Sequence, residues 1–197
     1  MELAKYVFVI LMSIFFCKFH VLAQSPEAPA GLKLLERDTS WISITWEGSS
    51  SDYETEISPS AGTDGEVKST GSETWEYSQS DLSPGTQYEF SVTALEGSLT
   101  SLPTKESFYT VPNLPTKLTR TEPAKTTSLD VHWSKPATGG CSLVQVSLDN
   151  GETEYKTDLS HMFTSLKAGK QFTVTAACLV GGNVKSDQIS QKFFTSK

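Results

Sequence analysis

The stretch Leu82-Ser83-Pro84-Gly85-Thr86-Gln87-Tyr88-Glu89-Phe90-Ser91-Val92-Thr93-Ala94 decides the fold. From Tyr88 onward, Tyr88, Phe90, Val92 and Ala94 alternate with Glu89, Ser91 and Thr93. That period of two is the signature of a strand buried on one face only. Pro84-Gly85 in front of it is a turn signal. The same spacing returns as Leu166-x-Ala168-Gly169-Lys170-x-Phe172-x-Val174-x-Ala176-x-Cys178.

Working outward, the whole chain after residue 23 repeats with a period in the mid-eighties. Pro29-x-x-Leu32 returns as Pro115-x-x-Leu118, and Ile42-x-Ile44-x-Trp46 as Leu129-x-Val131-x-Trp133. Tyr53-x-Thr55-x-Ile57 returns as Val144-x-Val146-x-Leu148, and Phe108-Tyr109-Thr110 as Phe193-Phe194-Thr195. Ser, Asp, Gly and Pro separate the blocks, as in Asp149-Asn150-Gly151, which reads as a hairpin turn. No block has the 3.6-residue period of an amphipathic helix. Short strands at regular intervals, given twice, predict two all-β sandwiches in tandem.

These residues resemble the fibronectin type III family. Its hallmarks are an early proline, a buried tryptophan on the second strand, and a Leu-x-Pro-Gly-x-x-Tyr corner. The first repeat carries them as Pro29, Trp46 and Leu82 to Tyr88. The second keeps Pro115, Trp133, Leu166 and Gly169, but has Ala168 and Phe172 at the corner, so it lacks the corner hydroxyl. The resemblance implies seven strands per domain, in immunoglobulin-like sandwiches spanning residues 24–111 and 112–197. It also places the third and sixth strands side by side, which would bring Cys141 and Cys178 together at one end of the second domain. A disulfide is the expectation, and two separate buried thiols are the alternative.

Residues 1–23 read as a secretory signal peptide. Lys5 precedes an 11-residue apolar run, Tyr6 to Phe16, and Val21-Leu22-Ala23 offers a cleavage site. The run is too short to span a bilayer, and no later segment is apolar enough to do so. A secreted, extracellular location follows, and Cys17 would leave with the leader, so that an even pair of cysteines remains.

The charge of −7 argues against a nucleic-acid partner. It is unevenly distributed. Residues 24–111 hold 15 acidic and 4 basic side chains, residues 112–197 hold 7 acidic and 10 basic. Glu54, Glu56 and Glu89 fall in the outward register of neighbouring strands and form a candidate docking face for an extracellular protein, with charge favouring a basic one. The bland reading of the same carboxylates is a solvated face that maintains solubility. Trp41, in the outward register of the second strand, and Trp75, ahead of the fifth, are candidate aromatic anchors. No catalytic, metal or cofactor motif is present: His132 and His161 stand in none, and His132 is expected to face solvent. The function expected is therefore a non-enzymatic binding module in adhesion, matrix or ligand binding. The competing readings are a soluble cytokine-receptor-like decoy or short receptor form, and a self-associating matrix component.

Overall fold

The computed structural model describes residues 24–58, 65, 67–71 and 73–197. The signal-peptide reading therefore lies outside the described residues. Within them there are fifteen strands and no helix, so no helix there is long and apolar enough to cross a membrane.

The first half contains β1 (Ala30–Arg37), β2 (Ile42–Glu47), β3 (Asp52–Ser58), β4 (Lys68–Gly71), β5 (Thr74–Gln79), β6 (Gln87–Glu96), β7 (Leu99–Thr100) and β8 (Thr104–Tyr109). One sheet runs β1-β2-β5-β4; the other pairs β3 with β6, and β6 with both β7 and β8. The second half contains β9 (Thr116–Arg120), β10 (Leu129–Ser134), β11 (Leu143–Leu148), β12 (Thr153–Lys156), β13 (Ser160–Phe163), β14 (Gln171–Val180) and β15 (Val184–Phe194). Its sheets run β13-β10-β9 and β12-β11-β14-β15. The two halves differ in their fourth strand. A four-residue turn, Asp149–Glu152, forces β12 to return beside β11. The longer connection after β3 lets β4 join the opposite sheet, beside β5.

Alternation builds one core in each half. Ile42, Ile44, Trp46, Tyr88, Phe90 and Val92 fill the first; Leu129, Val131, Trp133, Val144, Val146 and Phe163 fill the second. The corner tyrosine behaves as the first repeat promises: Tyr88 Oη accepts a hydrogen bond from Ser83 N–H at 2.9 Å. Such a bond contributes about 1 kcal/mol, and Phe172 has no hydroxyl with which to make it.

In the second half the missing corner is accompanied by a covalent tie. Cys141 and Cys178 form a disulfide across 37 positions of chain. The antiparallel register that sets Val144 opposite Cys178 carries Cys141, two residues ahead of β11, to the same end of the sheet.

That end meets the first sandwich. Gly140 N–H donates to the Pro84 carbonyl at 3.1 Å. The two backbones approach so closely that a Cβ on Gly140 would lie 2.2 Å from the Gly85 oxygen. Asn113, in the proline-bounded linker, donates from Nδ2 to the Thr138 carbonyl at 2.9 Å. Tyr109 lies over Gly181 in the β14–β15 turn. Its ring is fixed by an Oη donation to Gln87 at 3.2 Å. The linker thus crosses a joint already braced by backbone contact.

Candidate protein-binding face

The acidic face arises from the pairing of β3 with β6, which sets Glu54 opposite Thr93, Glu56 opposite Ser91, and Ser58 opposite Glu89. Strand alternation turns Tyr53 into the core and leaves Glu54 exposed. The Glu56 side chain lies outside the described residues; its backbone position is diagonal to that of Glu89. Glu89 is compensated. Lys105, on the far side of β6, places Nζ 3.0 Å from its carboxylate, with both side chains about half exposed. An exposed pair of this kind contributes roughly 0–1 kcal/mol to stability, yet it cancels the charge of one of the three carboxylates. The face is therefore graded: among the described residues Glu54 on β3 has no ion-pair partner, and a cation lies toward β8. The signal for Lys105 lay in the register of β8 on β6, which sets it opposite Ser91.

Both tryptophans sit differently from expectation. Trp41 is not in the strand: β2 begins at Ile42, and the Trp41 carbonyl closes a turn by accepting from Asp38 N–H at 2.9 Å. Trp75 lies within β5, opposite Trp46, rather than ahead of the strand. Its Nε1 donates to the Gly48 carbonyl at 3.1 Å, and its ring packs on Tyr53 with centroids 4.8 Å apart. Both indoles are half-buried. The register failed because a large aromatic next to a turn can serve the rim of the core as readily as the solvent face.

His132 is half-exposed on β10, as its register suggests. Its Nε2 lies 2.6 Å from Thr121 Oγ1 and 3.6 Å from an Asp130 oxygen. Hydroxyl and carboxylate thus approach the same ring nitrogen. A nucleophilic relay needs them on opposite nitrogens, so that the base can take a proton while the acid orients it. Among the described residues no group of three or more His, Cys, Asp or Glu side chains is placed to hold a metal ion. A cleft of about 290 Å³ lined by Glu27, Glu47 and Glu73, at the end of the first sandwich away from the joint, was not evident from strand patterning. Its carboxylates come from three separate segments.

His161 has a clearer chemical consequence. It occupies on β13, opposite Val131, the place that Tyr77 holds on β5, opposite Ile44. Tyr77 donates its hydroxyl to buried Gln79, but the residue matching Gln79 is Phe163. His161 stacks edge-on against that ring at 4.6 Å, and its Nε2 is buried with no hydrogen-bond partner. Burial lowers its pKa below 6.5, and the charge of Lys156 adds to this against the opposing pull of Glu154 and Glu152. The unfolded chain therefore takes up this proton at higher pH than the folded one. The stability at stake is full above the ordinary histidine value and is lost as pH falls through it toward the depressed one. The melting temperature of the second sandwich should fall between pH about 7.5 and about 5.5, and less steeply in His161→Phe. Equal slopes in the two proteins would refute the assignment.

Two β-sandwiches in tandem, joined by close backbone contact, define the fold class of the chain. Residues 27–110 match the family model of the Fibronectin type III domain, and the first sandwich belongs to that family. The chain as a whole is similar in fold to a two fibronectin type III domain segment from chicken tenascin. That likeness has 18% identity and a TM-score of 0.50, covering 85% of this chain and 99% of that one. The tandem fold of the sequence reading is therefore established. No curated protein matches the sequence.

Proposed function

We propose that this chain is a secreted, non-enzymatic protein-binding module acting outside the cell, in adhesion, matrix or ligand binding, through the carboxylate face of its first sandwich. Fibronectin type III tandems are binding or adhesion-type modules, which supports the coarse reading. The finer one is carried by one observation: among the described residues, exposed Glu54 has no cation partner, on a sheet face in a half-chain with 15 acidic and 4 basic residues. A surface of one sign speeds encounter with a partner of the other, and the effect fades with salt.

The test begins with capture of a partner from native extracellular fluid on the processed chain, followed by association kinetics at low and high salt. The triple variant Glu54→Gln, Glu56→Gln, Glu89→Gln should associate about tenfold more slowly at low salt and show a flatter salt dependence. Unchanged kinetics would remove the face from the function. Residue 24 as the first residue of the secreted chain is checked by N-terminal sequencing.

A further inference from the structure

The second sandwich carries a cationic counterpart to this face. Lys125, Lys167, Lys170 and Lys197 are all exposed, and come from the β9–β10 connection, the β13–β14 corner and the chain end. Backbone hydrogen bonds knot these segments together. Ser196 N–H donates to the Lys125 carbonyl at 2.9 Å, Gly169 N–H to Ser196 at 2.8 Å, and Thr195 N–H to Lys170 at 3.0 Å. Thr195 closes the knot from within. Its buried Oγ1 accepts from Lys170 N–H at 3.0 Å and donates to the Lys167 carbonyl at 2.7 Å. These bonds fix the backbone at Lys125, Lys167 and Lys170, and Lys197 directly follows Ser196. Among the described residues none of them is in a salt bridge. Lys125 Nζ meets only the Met162 sulfur, at 3.9 Å. Lys167 and Lys170 also line an open groove of about 440 Å³ with Asn150 and Phe172.

Position identifies the occupant. Strand β14 runs from this knot at Gln171 to the joint at Val180, ten residues, or about 30 Å. The glycine-to-glycine contact at the joint holds the first sandwich at the opposite end. The acidic half of the same chain thus cannot fold back onto the lysines, but that of another copy can reach them.

We propose that the lysine pole of the second sandwich docks the carboxylate face of the first sandwich in a second copy of this chain, head to tail. This rests on the reading of the β3–β6 face as a docking surface and names its partner. A heterologous contact of this kind closes into a ring or propagates into an open chain, according to the rotation it imposes.

Sedimentation velocity of the purified, processed chain tests it across a concentration series at about 0.02 M and about 0.3 M salt. Average mass should rise with concentration at low salt and stay monomeric at high salt. Lys167→Glu with Lys170→Glu should abolish the rise, and so should Glu54→Lys with Glu56→Lys. Mixing these two variants should restore it, because each supplies the charge the other has lost. Misfolding of either variant could not produce that rescue. A wild-type chain that stays monomeric at low salt overturns the docking, as does a mixture that fails to associate. Binding of dextran sulfate by the pole without self-association would assign it to a polyanion and overturn the second copy as occupant. If the chain is monomeric yet its face still binds a basic foreign protein, the docking fails and the face reading stands. If the face binds neither, both fail.

Discussion

Replacing Cys141 and Cys178 together by alanine should lower the stability of the second sandwich by about 4 kcal/mol and leave the first unchanged. The bond closes a loop across 37 positions, and constraining a loop of that length removes this much chain entropy from the unfolded state. Alanine leaves no unpaired polar atom at the buried Cys178 site, so the loss reports the tether and a modest packing defect. The second sandwich has few reserves against it, because Phe172 cannot make the corner bond that Tyr88 makes. A domain of this size is held by only about 5–15 kcal/mol. Urea unfolding followed by tryptophan fluorescence separates the halves, since three tryptophans (Trp41, Trp46, Trp75) lie in the first and Trp133 alone in the second. The second-sandwich transition should move down by about 2–4 M urea. A shift under about 0.5 M would show that the tether does not hold this domain. Equal shifts in both transitions would show that the domains unfold as one.

What could be read in advance divides along a physical line. Core positions such as Trp46, Val131 and Val174 were legible because burial on one face imposes a local period on the chain. The cysteine pair was legible once neighbouring strands were assigned, since antiparallel pairing fixes which ends meet. The fourth strand of the first sandwich was not, because its sheet depends on how a connection crosses the domain. Trp75 was misplaced for a related reason. Its burial is decided by Gly48 and Tyr53, residues far away in sequence. The candidate face was half legible: alternation put Glu54 outside, but only register across three strands revealed Lys105 beside Glu89. The lysine knot and the joint were silent altogether. Each is a meeting of segments that have no shared period, and a glycine that marks a turn looks the same as one that admits another backbone.

Gly140 separates those two roles, and substituting alanine there should open the joint while both sandwiches remain folded. Its φ is not among the positive values that favour glycine, so alanine costs its backbone little. The obstacle is steric. The added Cβ would lie 2.2 Å from the Gly85 oxygen and 3.1 Å from its carbonyl carbon, and backbone atoms on a turn cannot swing aside as a long side chain can. Relief requires the two backbones to part by about 1 Å or more, which also breaks the Gly140 N–H bond to Pro84. Gly182 supplies the control. Its φ of 84° makes alanine locally strained, but nothing lies within 4 Å of the added carbon. Gly182→Ala should therefore cost about 1 kcal/mol of domain stability and leave the joint closed. Amide hydrogen exchange and small-angle scattering read the difference. Gly140→Ala should speed exchange around the joint, broaden the distribution of domain separations, and shift neither unfolding transition by more than about 1 kcal/mol. If Gly182→Ala loosens the joint and Gly140→Ala does not, the brace is backbone conformation rather than close approach. A loosened joint would also let the acidic half swing relative to the lysine pole, so the concentration-dependent mass of Gly140→Ala should fall below that of the wild type at low salt.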